Sequence, residues 1–137
     1  MIALPEEAHG VLAVGWATVE LDRAARELAH LLAPGAGFGA AASSAILGAR
    51  CRSGPAAGEA GLWIALLEPD TEGRLAGTLA RSGEGWAATW VLTAPAGPEP
   101  GALSAPRPGP FGAERLLLGG PPTGLHRLVV EAVPSPP

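Results

Sequence analysis

The sequence predicts an α+β fold in which strands and two short helices alternate along 137 residues. An apolar run with β-branched residues begins at Gly10 and leads directly into a helical pattern. The stretch from Leu66 to Gly85 combines a strand end, an amphipathic helix and a glycine stop signal. Trp-bearing apolar runs flank this second helix on both sides. This order indicates one βαβββ module followed by a second, reduced one.

The first module is predicted over residues 10–68. Asp22 is the candidate N-cap of its helix, whose apolar face is formed by Leu21, Ala25, Leu28 and Leu32. Two strands are predicted later in the module, over residues 44–53 and 61–68, with a Gly/Ala/Pro turn between them.

A bridging helix is predicted over residues 70–83, with Asp70 and Thr71 as candidate caps and Gly83 as its end. The second module is predicted over residues 86–133, and two strands close it. Between its strands, residues 94–112 are too rich in Pro and Gly to hold a regular helix.

The composition predicts one compact domain over residues 1–137, because the chain is 47% hydrophobic. No apolar run is long enough to span a membrane and no signal peptide is evident, so we expect a cytoplasmic protein with no membrane partner. Cys51 is the only cysteine, which excludes an intramolecular disulfide. The net charge of −4 and the lack of basic clusters argue against a nucleic-acid partner.

Three segments resemble a known superfamily: VGWATVELDRAA, IALLEPDTEGRLAGTLARSGEG and the closing pair GPFGAERLLL and PPTGLHRLVVEA. They are similar to the vicinal oxygen chelate superfamily, the glyoxalase and bleomycin-resistance fold, and in particular to its methylmalonyl-CoA epimerase-like members. The resemblance implies paired βαβββ modules that curl into a half-open sheet cup. The second module departs from that pattern, because a Pro-rich loop replaces its helix over residues 94–107.

The resemblance also implies where a divalent metal would be held. The four corresponding positions are Ala13, Ala65, Ala88 and approximately Leu128, and none of these side chains can bind a metal. A shift of register would place Glu131 at the last position, but one carboxylate does not make a site. The three histidines, His9, His30 and His126, lack ligand spacing. We therefore expect neither metal nor other cofactor.

Strand alternation extends this argument to the neighbours of the lost ligands. If Ala65 and Ala88 point into the cup, then Trp63 and Leu67 do so on the first strand, as do Trp86 and Trp90 on the second. Three Trp around a space cleared by alanines suit an apolar or aromatic ligand. Alternatively, the Trp side chains fill the vacated volume as core residues.

Few polar residues are candidates for chemistry. His126 has cup-facing parity and, with Glu131, is a candidate acid/base, although a strand-end position also explains it. Arg50 and Arg52 share one strand face and are candidates to hold an anion across the cup, or they form a solvated face.

The sequence thus predicts a metal-free protein of the glyoxalase-like fold that binds a small apolar or aromatic molecule and forms a homodimer. Two alternatives stay open. One is a metal-independent isomerase, lyase or cyclase acting on a small organic or acyl substrate. The other is an accessory module that docks a partner protein.

Overall fold

The computed structural model describes residues 2–93, 103–118 and 125–131. Its strands are β1 (Ala13–Ala17), β2 (Ala42–Ser44), β3 (Ala49–Pro55), β4 (Trp63–Pro69), β5 (Gly85–Thr93), β6 (Glu114–Leu116) and β7 (His126–Glu131). Its α-helices are α1 (Leu21–Glu27) and α2 (Arg74–Ser82), and 3-10 turns lie at Glu6–Ala8 and Ala29–Leu31.

The seven strands form one curled, mixed sheet in the order β2-β3-β4-β1-β5-β7-β6. β1 lies at its centre, parallel to β4 and antiparallel to β5, and so joins the strands of the two predicted modules. The α+β class and the curled half-barrel are therefore confirmed. The expected loop over residues 94–107 lies largely outside the described residues.

The sheet has two apolar faces. One face, called the cup face here, carries Ala13, Ala65, Leu67, Trp90 and Leu128, and α2 contributes Leu75 to the same cluster. The opposite face, called the helix face, packs against α1. Both faces are buried, which explains why the central strands are almost continuously apolar.

The start of α1 differs from the sequence prediction. Asp22 lies inside the helix, and the cap residue Glu20 makes no side-chain capping bond. The backbone N–H of Leu21 instead donates to Oε2 of Glu68, at 3.1 Å, from the end of β4. A carboxylate 47 residues away in the chain thus replaces the local cap.

The bridging helix is also shorter than predicted, since α2 begins at Arg74 rather than near residue 70. Gly73 precedes it with a φ of 134°, a conformation that a side chain would strain. The N–H of Leu75 donates to the carbonyl of Leu47 at 3.0 Å. The turn between β2 and β3 therefore fixes where α2 begins.

The predicted strand over residues 44–53 divides into two elements. Ser44 ends β2, residues 45–48 turn, and β3 begins at Ala49. β2 is an outermost strand of the sheet, and β6 is the other. Curling brings these two edges together: Ser44 Oγ donates to Glu114 Oε2 at 2.6 Å, and the Ala45 N–H donates to the Pro108 carbonyl at 3.0 Å.

Among the described residues, no helix is both long and apolar enough to cross a membrane.

Candidate functional site

The four positions that correspond to metal ligands converge as the resemblance implied, but they form an apolar cluster. Ala13, Ala65, Ala88 and Leu128 are all fully buried on the cup face. Their side chains offer no donor atom, so they do not fit a divalent metal. Across the described ranges, no group of three or more His, Cys, Asp or Glu residues is placed to hold a metal ion.

Two large side chains fill the floor of the cup. A Cβ atom added to Gly15 of β1 would lie 2.7 Å from Cδ1 of Leu67 and 2.9 Å from Cζ3 of Trp90. Trp90 is 0% exposed, and Phe111 packs against it edge-on with ring centroids 5.3 Å apart. Trp90 is therefore a core residue, in accordance with the alternative in which Trp fills the volume.

Trp86 does not share the cup face, and this part of the sequence prediction is wrong. The pairing of β5 with β1 shifts between Ala88, which faces Gly15, and Trp86, which faces Trp16. The extra residue, Ala87, reverses the alternation, as a β-bulge does. Trp86 consequently packs on the helix face.

Trp86 has its own partners there. Its ring lies edge-on to Trp16 at 5.1 Å, and its Nε1 donates to the carbonyl of Ala3 at 3.0 Å. This indole therefore helps to hold the N-terminal segment against the sheet.

Trp63 is the accessible aromatic residue of the cup face. It begins β4, is 37% exposed, and lies 6.5 Å from the ring of Phe111, centroid to centroid. Phe111 bridges Trp63 and the buried Trp90. We call Trp63 and Phe111 the aromatic rim. Phe111 was not among the sequence candidates, because it follows a Pro/Gly segment with no strand pattern.

Arg50 and Arg52 share a strand face as predicted, but that face is not the cup. Their neighbours Ala49 and Cys51 point into the cup cluster. Arg50 forms an ion pair with Glu68. Arg52 donates to the carbonyls of Gly39 and Phe38, at 2.9 and 3.0 Å, and to Asp22 of α1 at 3.3 Å. An anion clamp across the cup is therefore excluded by their orientation.

The two acid/base candidates are separated. His126 is half-buried, and its Nε2 lies 2.7 Å from the hydroxyl of Thr78 on α2. Burial lowers its pKa, and the positive charges of Arg74 and Arg81 lower it further. Glu131 is exposed at the other end of β7 and, by strand alternation, on the opposite face.

The other two histidines and Cys51 have separate partners and do not form a common site. Nδ1 of His9 lies 2.9 Å from Oε1 of Glu59, and Nε2 of His30 lies 2.7 Å from the carbonyl oxygen of Ile2. Cys51 is buried on the cup face, where desolvation raises the pKa of its thiol to about 12. This thiol is a small apolar core group.

Glu114 is the buried carboxylate that sequence reasoning missed. It is 0% exposed on β6, and it accepts hydrogen bonds from Ser44 Oγ at 2.6 Å and Trp90 Nε1 at 3.0 Å. Burial raises its pKa, and these hydrogen bonds oppose that effect. Gly109 packs so closely on it that any side chain there would collide with the carboxylate. The sequence offered one indication of this buried carboxylate: Glu114 lies two residues before Leu116 in a predicted strand, so the two side chains share a strand face.

A cleft of about 260 Å³ lies near the contact between the two sheet edges. Two arginines on separate elements line it, Arg74 at the start of α2 and Arg107 before β6. The remaining lining is mostly apolar and consists of Ala45, Ile46, Ser104, Ala105 and Leu116. None of these residues was a sequence candidate, since they belong to four different segments.

Comparison with known proteins finds solved structures with a similar fold. No family model matches the chain, and no curated protein matches its sequence. Among solved structures, methylmalonyl-CoA epimerase from Mycobacterium tuberculosis superposes with a TM-score of 0.67 at 20% identity, over 98% of this chain and 94% of that one.

Two further solved structures agree. A variant of the Streptomyces coelicolor methylmalonyl-CoA epimerase, in complex with 2-nitronate-propionyl-CoA, gives a TM-score of 0.68 at 21% identity, over 92% of this chain and 97% of that one. A hypothetical protein from Bacillus halodurans gives a TM-score of 0.65 at 15% sequence identity, over 93% of this chain and 96% of that one. The chain therefore shares the fold of these solved structures, which confirms the predicted α+β architecture.

Proposed function

We propose that this chain is a metal-independent small-molecule-binding protein, and that the aromatic rim holds an apolar or aromatic part of its ligand. The observation that carries the proposal is the burial of Ala13, Ala65, Ala88 and Leu128 in one apolar cluster. A binding role needs no metal, whereas the chemistry implied by the resemblance does.

The aromatic rim is the part of the predicted Trp site that a ligand can reach. Trp90 is covered by Phe111 and held by Glu114, and Trp86 is on the helix face. Trp63 presents a ring surface beside Phe111, and Leu92, two residues beyond Trp90 on β5, is also exposed. Such a surface favours flat, uncharged groups, because aromatic rings stack on them and their burial removes apolar area from water.

The alternatives have less support from the geometry. A metal-independent isomerase, lyase or cyclase needs an acid and a base on one substrate, but His126 is engaged by Thr78 and Glu131 faces the other way. An accessory docking module would use the exposed apolar groups at Trp63 and Leu92.

The metal-independent part is tested by elemental analysis of protein purified without added metal. We expect divalent metal far below one equivalent per chain. A near-stoichiometric content of zinc, nickel, cobalt, manganese or iron would refute this part of the proposal.

The binding part is tested with 2-naphthol, a flat neutral aromatic, using cyclohexanol as the saturated comparator. Ligand-observed NMR should detect 2-naphthol with the parent protein. Trp63→Ala should weaken it about fivefold or more, since truncating a contacting Trp at a binding surface costs about 1 kcal/mol or more of binding. The thermal midpoint should change little, because Trp63 is partly exposed.

Trp90→Ala is the matched variant. It should destabilise the fold by about 3–5 kcal/mol, as expected for a packed core Trp, because Trp90 is fully buried. If the parent protein does not bind 2-naphthol, or if the Trp63→Ala variant binds it as tightly as the parent does, the aromatic rim is not a binding surface.

A further inference from the structure

We propose that the cleft between α2 and β6 binds a small organic anion through Arg74 and Arg107, with its apolar part against Ile46 and Leu116. This site is distinct from the aromatic rim: Trp63 begins β4, whereas Arg74 follows the far end of that strand. The cleft holds about 260 Å³, slightly below the range of about 300–1,000 Å³ common for ligand pockets. Its ligand is therefore small.

The positive charge of the cleft favours an anionic ligand. Two guanidinium groups and no acidic side chain line it. In the part of the chain that the structure describes, neither Arg74 nor Arg107 forms an ion pair. Other arginines do pair with carboxylates, namely Arg23, Arg50 and Arg52. Guanidinium groups bind carboxylates and phosphates in a two-pronged geometry, so the cleft supplies cationic groups without internal partners.

The wall that carries Arg107 is fixed before a ligand arrives. The backbones of Arg107 and Glu114 exchange two hydrogen bonds of 2.8 Å. The Glu114 carboxylate is in turn held by Ser44 and Trp90. Arg107 therefore projects from a braced backbone, and only its side chain needs to be ordered on binding.

The Ser104 hydroxyl, the one hydroxyl among the lining residues, is not free to donate a hydrogen bond to the anion. Ser104 Oγ accepts from the N–H of Leu116 at 2.8 Å and donates its proton to the carbonyl of Ala105 at 3.2 Å. With that proton committed, the polar recognition falls to Arg74 and Arg107. The positive potential at this end of the molecule is also felt by His126, whose pKa Arg74 helps to lower.

The apolar lining defines the other half of the ligand. Four of the seven lining residues are purely aliphatic: Ala45, Ile46, Ala105 and Leu116. An inorganic anion would leave this surface wet, whereas a short alkyl or acyl chain would cover it. The class that fits is a short-chain carboxylate or phosphate monoester.

Titration of isotope-labelled protein by heteronuclear NMR tests the site with hexanoate, hexyl phosphate, inorganic phosphate and the neutral 1-hexanol. We expect the two organic anions to shift the backbone amide signals of Ile46 and Leu116. Arg74→Gln and Arg107→Gln should each weaken binding about tenfold or more, because charged hydrogen bonds are lost. The difference between hexanoate and hexyl phosphate identifies the preferred head group.

Arg26→Gln, an exposed position on α1, is the matched control and should bind as the parent does. Trp63→Ala should also leave the anions bound, which separates this site from the proposed function. The proposal is overturned if the Arg74 and Arg107 variants bind the organic anions like the parent. It is equally overturned if 1-hexanol or inorganic phosphate binds as tightly as the organic anion that binds better.

Discussion

Glu84, in the turn before β5, shows how one side chain links distant parts of this fold. Its Oε2 accepts from the Thr18 hydroxyl and the Val19 N–H, both at 2.8 Å, and from Arg23 of α1 at 2.6 Å. These bonds lower its pKa to about 2, chiefly through Arg23. The carboxylate thus joins the GEG turn to the entry and first turn of α1.

Replacing Glu84 by Gln should reduce the free energy of unfolding at neutral pH by about 1.5–3 kcal/mol, the range for hydrogen bonds to a charged group. Its folded pKa of about 2 lies below the ordinary 4.5. The unfolded chain therefore binds more protons between these values, and stability falls as pH drops through that window. The variant should lose part of this slope in chemical denaturation at several pH values.

Glu72→Gln, at an exposed position before α2, is the control and should keep the free energy of unfolding that the parent has at neutral pH. A Glu84→Gln variant with unchanged stability and slope would contradict the assigned role.

Glu114 affects the pH dependence of stability in the opposite direction to Glu84. Burial raises its folded pKa above the ordinary value of 4.5. Between those two pKa values the folded chain binds more protons than the unfolded chain. The contribution of Glu114 to stability is therefore present below about the unfolded pKa and is lost as pH rises through the folded one.

At the scale of elements, β1 and β5 form the tightest packing in the cup. Gly15 lies opposite Ala88 at the bulge, and any side chain on it would meet Leu67 and Trp90. The two large residues thus occupy space that an ordinary strand residue would take. A glycine in the middle of a strand is otherwise unfavourable, and close packing explains this one.

Gly15→Ala should destabilise the protein by about 1–3 kcal/mol through overpacking, with the midpoint of thermal or urea unfolding as the measurement. Gly85→Ala is the paired control on β5, where an added Cβ meets nothing within 4 Å. That substitution should be neutral or slightly stabilising. Equal effects at the two glycines would show that the cup is looser than described.

The junction of the sheet edges gives a second element-scale prediction. Ser44→Ala removes one of the donors to the buried Glu114 carboxylate and should cost about 1–3 kcal/mol. Hydrogen exchange at the Ala45 N–H, which bonds to Pro108 across the junction, should accelerate. Ser43→Ala, on the exposed side of β2, should leave that amide protected to the parent level.

For the whole molecule, we predict a homodimer. Symmetric dimers are the commonest assemblies of small soluble proteins. Large apolar side chains are exposed on the described surface, at Val19, Leu92 and Leu118 in addition to Trp63. Light scattering should give twice the chain mass of 13.7 kDa. A monomer at tens of micromolar protein would contradict this prediction.

The curled sheet also sets the limits on function at this scale. Within the described residues, its interior is filled by Trp90, Leu67 and Leu128, and the aromatic rim and the cleft beside α2 lie outside this filled interior. The fold is that of methylmalonyl-CoA epimerases. The proposed binding sites lie at the margins of that fold rather than at the buried apolar cluster of Ala13, Ala65, Ala88 and Leu128.

The sequence by itself determined the order and type of the main elements and the apolar character of the four ligand positions. Period-two and period-3.6 patterns are local, so they identified the buried strand β4 and the bridging helix. They also gave Arg50 and Arg52 a common strand face correctly.

Only the tertiary structure decided which face that was. The bulge that turns Trp86 away is a single extra alanine with no local signature, and it inverts alternation beyond it. The caps of α1 and α2 come from Glu68 and the Leu47 carbonyl, which are distant in the chain. The Ser44–Glu114 contact and the arginine-lined cleft exist only because the sheet curls until its two edges meet, and curl is a property of the assembled sheet.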